Sequence, residues 1–229
     1  VLAEVAIVPS APLLVPELAG PDAVETDVVR AAVDAAGRSL GASADRWIAI
    51  GADGRARRFA AYGVDVPVSV SRTGDDVPLP LSMLIAAWLR GRTAPDATVD
   101  AHLVADDASP AEAAERGRRL AEIIDADPEP VGLLVVGDGA TALSASAPGG
   151  GDRPSAHEVQ AVIDTAFAAA DAEALNALDP RVCDAEGVGG RAPWQVLAGL
   201  AAGRTFTPTV RFVGAPFGVG YTVATWTPR

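Results

Sequence analysis

The sequence predicts a three-layer α/β/α sandwich on a mixed, mostly parallel sheet, with a C-terminal β-hairpin. Three observations carry that reading. Short aliphatic and β-branched runs alternate with longer stretches of helical spacing, the pattern that builds parallel sheets covered on both faces. The most hydrophobic run, Val131–Val136, has no polar side chain and belongs in the middle of such a sheet. Two final runs, residues 207–213 and 219–226, flank Gly214-Ala215-Pro216-Phe217-Gly218 and read as an antiparallel hairpin.

Each element has its own signal. Residues 3–8 are apolar and β-branched, stop at Pro9, and read as a buried strand. Residues 22–40 read as a helix, with Asp22 as N-cap and Val24, Val28, Ala31, Ala32 and Ala35 at helical spacing. Residues 46–50 form a second buried strand ended by Gly51, and residues 64–70 a third with more alternation. Residues 80–90 form a short helix with Leu81, Leu84, Ile85 and Trp88 on one face. Thr98–Val104 alternates as a strand does. Ser109-Pro110-Ala111-Glu112 is a capping box with Pro at the first helical position. The helix it opens runs to about residue 125, with Ala113, Leu120, Ile123 and Ile124 facing inward.

A long loop of small residues covers 137–152. Ser155 with Glu158 gives a second capping box, opening a helix to about residue 170. Residues 171–178 add a helical turn or two, and residues 193–202 a helix carrying Trp194, Val196 and Leu197. No internal repeat occurs. The Pro- and Gly-rich stretch at 147–154 is flanked by elements that continue the same pattern, so residues 1–229 read as one domain.

Composition narrows the function classes. Apolar residues make up 49% of 229, enough for a sizeable core. All 18 basic residues are Arg. Without Lys, Schiff-base chemistry and a P-loop are excluded. A net charge of −12 with no basic stripe argues against nucleic acid and anionic membrane surfaces as partners, since both require neutralisation of phosphates. No apolar run reaches the ~20 residues of a membrane helix. Residues 1–8 contain Glu4, lead into a proline loop, and do not read as a signal peptide. Cys183 stands alone, so no intrachain disulfide forms, and a cytoplasmic location is expected.

Strand ends are where an α/β fold places its chemistry. Here they are Pro9-Ser10-Ala11-Pro12, Gly51-Ala52-Asp53, Gly137-Asp138-Gly139-Ala140-Thr141 and Gly187-Val188-Gly189-Gly190, and none contains His or Cys.

Several segments together resemble a known family. Ala6-Ile7-Val8-Pro9-Ser10-Ala11-Pro12-Leu13-Leu14-Val15-Pro16-Glu17 resembles the opening of the class III extradiol ring-cleavage dioxygenase B-subunit family (the LigB-like fold, shared with Memo-like proteins). Leu134-Val135-Val136-Gly137-Asp138, followed by Ala147-Pro148-Gly149, resembles its central Gly-Asp motif. Ala215-Pro216-Phe217-Gly218-Val219-Gly220-Tyr221 resembles its closing strand. The order and spacing match across nearly the whole chain.

The resemblance implies a scaffold whose active members cleave catechol-type rings with non-heme Fe(II). Two His and one Glu form a facial set that leaves positions open for substrate and O₂, and a further His serves as acid and base. This chain departs at each position. Ser10 stands where the family's Pro-His-Pro-Pro opening has His, and Asp53 aligns with the His ending the second strand. Thr141 replaces the base, and Val188 aligns with the late Glu, with Glu186 two residues away. Ser and Thr are poor iron ligands and Val is none.

The expectation is therefore a catalytically silent homologue without iron, keeping a small-molecule or protein-binding cleft lined by Ser10, Asp53, Asp138 and Thr141. Two alternatives stand beside it. One is a divergent metal-dependent enzyme with Fe(II) or Zn at a relocated site, built from Asp53, Asp138, His157 and Glu186. The other is a structural partner subunit or homo-oligomer, since the B-type family often works in assemblies.

Other residues read more plainly. His157 is a solvated residue of a helix's first turn, and His102 an exposed strand residue. Cys183 reads as a small buried hydrophobe, and Trp88 and Trp194 as core. Asp138 shapes its loop by accepting backbone N–H bonds. Asp53 with Arg55, Arg57 and Arg58 is a solvated loop or a clamp for an anion. Tyr62, Tyr221 and Phe217 fit a cleft or the core equally.

Overall fold

Alternate side chains of the central strands enter two different cores. The computed structural model describes residues 1–19 and 24–229. Its strands are β1 (Leu2–Val8), β2 (Arg46–Ala52), β3 (Thr98–Val104), β4 (Val131–Val136), β5 (Phe206–Gly214) and β6 (Tyr221–Pro228). They form one sheet in the order β3-β2-β4-β1-β6-β5. β3, β2, β4 and β1 run parallel, β6 returns antiparallel beside β1, and β5 closes the hairpin. The six-stranded, mostly parallel sheet flanked by helices and the C-terminal hairpin are as the sequence predicts.

The layers follow from the pleat. Val5, Ile7, Leu133 and Val135 face α3 (Pro110–Ala126), α4 (Pro154–Ala169), α5 (Ala172–Asn176), α6 (Pro180–Glu186) and α7 (Arg191–Ala201). Ala6, Val8, Leu134 and Val136 face α1 (Val24–Ser43) and α2 (Leu81–Thr93). β4 is buried along its whole length. Each large aliphatic side chain buried this way contributes roughly 1.5–3 kcal/mol.

The capping box at Ser109 forms in full: its hydroxyl accepts the Glu112 N–H, and the Glu112 carboxylate accepts the Ser109 N–H. Elsewhere the structure corrects the sequence reading. Residues 64–70 form no strand. Pro67 removes a ladder donor, and Val70 offers edge strand β3 a single bond, accepting the Val99 N–H at 2.7 Å. Ser155 caps nothing. α4 starts two residues earlier, with Arg153 as N-cap and Pro154 in its first turn. On α1 the buried face is Val29, Val33, Ala36, Gly37 and Leu40, while Val24 and Val28 are exposed. The reason is Gly37: a Cβ there would lie 2.6 Å from Thr93 Oγ1, so the helix turns its glycine to α2. Ile123 points outward on α3. α6 is an element the sequence reading lacks. The Asp22 cap lies outside the described residues.

No described helix is long and apolar enough to cross a membrane.

Candidate functional site

The C-terminal ends of β1, β2 and β4 meet where glycines at two of the strand ends let neighbouring segments approach closely. A Cβ on Gly137 would lie 2.6 Å from the Gly190 Cα. That contact presses the 187–190 loop against the end of β4, and the Gly190 N–H donates to the Asp138 carbonyl at 2.8 Å. Gly187 takes the left-handed conformation that ends α6, with φ +68. On β2, a Cβ on Gly51 would lie 2.4 Å from the Ser82 Cβ, so the start of α2 reaches the strand end. There the Ser82 hydroxyl donates to the Ala52 carbonyl at 2.9 Å.

Ser10 and Asp53 share a cleft of about 420 Å³, together with Arg55, Arg57, Tyr62 and Ser82. Asp53 is exposed, and its Oδ1 accepts the Gly54 N–H at 2.7 Å. Asp138 lies behind Ser10, whose backbone N–H donates to its Oδ1 at 2.7 Å. Burial pushes the Asp138 carboxyl up to about 6, the Ser10 N–H offsetting part of the rise. The buried Tyr221 phenol beside it is likewise held above its ordinary value, by burial first and then by the Asp138 charge.

Asp138, Thr141 and Val188 are not among the residues lining this cleft. Thr141 is boxed in by the 187 turn, its N–H and hydroxyl both donating to the Glu186 carbonyl, at 2.9 and 3.3 Å. Val188 lines a separate recess of about 260 Å³ with Asp106, Cys183, Asp184 and Arg191. Arg191 is 2% exposed and donates to the carbonyls of Ala108 and Asp106 and to Gln195 Oε1. It therefore holds the β3–α3 loop against α7. Burial raises the Cys183 thiol to about 11, far from a reactive thiolate at neutral pH.

The four alternative ligands are each engaged separately. The Glu186 carboxylate accepts the Ser155 hydroxyl at 2.7 Å and Arg153 Nε at 2.8 Å. Those bonds, Ser155 first, hold it below the usual carboxylate range. His157 Nε2 lies 2.6 Å from Asp152 Oδ1. Asp138 holds Ser10, and Asp53 folds onto its own loop. Among the described residues, no three of His, Cys, Asp and Glu gather closely enough to hold a metal ion. At the positions that the sequence resemblance aligns with the ligands and base, one carboxylate and no imidazole are present, a donor set that does not fit a facial iron centre.

The remaining candidates sort cleanly. Trp88 and Trp194 are core, Tyr62 lines the cleft, Tyr221 is buried, and Phe217 is exposed. His102 is half-buried on edge strand β3, 3.4 Å from Asp100. Ser82 and Arg191 escaped the sequence reading, because tertiary approach alone brings them to the strand ends.

No family model matches the chain, and no curated protein matches it in sequence. In three dimensions it is similar to the crystal structure of an uncharacterized protein from Escherichia coli K12, with a TM-score of 0.55 and 13% identity, covering 98% of this chain and 99% of that one. At that identity the likeness speaks for the shared α/β fold alone.

Proposed function

We propose that the chain is a catalytically silent relative of the class III extradiol dioxygenases, one that uses its strand-end cleft to hold a small molecule without iron. One observation carries the reading. The positions that the resemblance aligns with the family's ligands and base hold Ser10, Asp53, Thr141 and Val188, which offer one carboxylate, two weakly ligating hydroxyls and an aliphatic side chain in place of imidazoles and Glu. Thr141 is hydrogen-bonded to the Glu186 carbonyl, and the nearby Glu186 carboxylate is neutralised by Arg153. What remains open is the Ser10–Asp53 cleft, at the edge where open α/β sheets bind ligands.

The test is ring cleavage itself. Purified chain supplied with Fe(II), O₂ and a panel of catechols is expected to give neither ring-opened product nor oxygen uptake above the Fe(II) blank. Turnover that depends on the protein, and that is lost in Asp53→Asn, would overturn the reading.

A further inference from the structure

The cleft beside Ser10 has an electrostatic character opposite to that of the chain. The protein carries −12 overall, yet two arginines, Arg55 and Arg57, line this cleft against one acidic residue, Asp53. The neighbouring Arg58 is tied to Asp76 at 3.0 Å. Arg55 and Arg57 have no carboxylate partner among the described residues, although both are close in sequence to Asp53. That carboxylate accepts its own loop's Gly54 N–H instead.

The loop carrying them is fixed at several points. Arg57 and Leu79 exchange two backbone hydrogen bonds, both 2.8 Å. Phe59 is fully buried and anchors the turn that follows. Tyr62 packs against it, with ring centroids 6.4 Å apart, and forms a wall of the cleft. Ser10 lines the same cleft, and its hydroxyl has no hydrogen-bond partner among the described residues, leaving it available as a donor.

We propose that this cleft takes a compact oxyanion, the carboxylate or phosphate group of a small molecule, held by Arg55 and Arg57 with Ser10 donating a further hydrogen bond. The proposal deepens the metal-free binding reading and rests on it. Guanidinium groups suit this task because their planar donors match two oxygens of a carboxylate or phosphate at once. Asp53 then acts against the ligand and limits its affinity.

Calorimetric titration of the full chain, in the presence of a chelator, with inorganic phosphate and separately with benzoate tests it. Saturable binding of at least one probe is expected, weakening as salt is raised. Arg55→Gln and Arg57→Gln should each weaken it about 10-fold, the loss of one charge-assisted contact. Arg58→Gln should leave it unchanged, and Asp53→Asn should tighten it. Binding of phosphate alone assigns the phosphate source, and binding of benzoate alone the carboxylate. No saturable binding of either, or equal weakening by all three Arg variants, overturns the proposal. Binding that appears only with added Fe(II) sinks the metal-free reading instead, and its response to Arg55→Gln and Arg57→Gln still decides the anion assignment. An unchanged thermal midpoint in each variant shows that the fold is intact.

Discussion

The depth at which α7 sits decides where the 187–190 loop meets β4, and two glycines set that depth. A Cβ on Gly117 of α3 would lie 2.0 Å from the Val196 carbonyl oxygen and 2.6 Å from the Leu200 nitrogen, and one on Gly199 would lie 2.0 Å from the Ala114 carbonyl oxygen. Ordinary contact begins near 3.4 Å, so Gly117→Ala requires the helices to part by more than an ångström against backbone, which has no rotamer to yield. Overpacking of this kind costs up to about 3 kcal/mol. The better helix propensity of Ala returns about 1 kcal/mol. The net loss is about 2 kcal/mol, which lowers the melting temperature of a chain this size by roughly 4–8 °C. Gly91→Ala is the control: a Cβ there meets nothing within 4 Å, so the same exchange should stabilise by about 0.5–1 kcal/mol. Urea unfolding followed by tryptophan fluorescence reads both. A Gly117→Ala protein as stable as the parent, or shifted in the same direction as Gly91→Ala, would refute the reasoning.

Two further perturbations probe the strand ends. Because the Asp138 carboxyl is raised from 3.8 to about 6, the folded protein binds that proton more readily than the unfolded chain, and the group's contribution to stability falls as pH rises across this interval. Asp138→Asn, which still accepts the Ser10 N–H, should therefore gain on the parent between pH 4 and pH 7, by about 3 kcal/mol at most; an advantage that shrinks with rising pH would contradict this. Gln160 Oε1 accepts the Ala140 N–H at 2.9 Å, so Gln160→Leu should cost about 1–3 kcal/mol by stranding a buried donor. Faster hydrogen exchange at Ala140 is the check, and unchanged protection would argue against it.

Local signals were legible in the sequence wherever the chain decides locally. The Ser109 capping box formed because both of its partners lie within one turn. The same pattern at Ser155 failed because Pro154 already starts the helix, which puts Ser155 inside the first turn, where its hydroxyl donates to Glu186 instead. The face of α1 was misread by one residue because a glycine contact, invisible to a count of apolar positions, outranks Val24 and Val28. α6 did leave a local trace: Asp179 accepts the N–H groups of Arg181 and Val182, and Gly187 ends the helix in the left-handed conformation. Reading Asp-Pro as a start and Gly as a stop would have found it. At the site, three of the four loops read as strand ends do follow β1, β2 and β4, and their lack of His and Cys follows directly from residue identity, whereas the fourth, 187–190, follows α6 and not a strand. The partition was not legible. That Ser10 and Asp53 share a cleft while Val188 faces another recess follows from the close approaches at Gly51 and Gly137, which depend on partners far along the chain.

Elemental analysis of the full chain, purified after growth with iron and zinc supplied and dialysed without chelator, tests the central claim most directly. The account predicts only substoichiometric metal, unchanged by Asp53→Asn. One tightly held equivalent of iron or zinc per chain, lost in that variant, would contradict it.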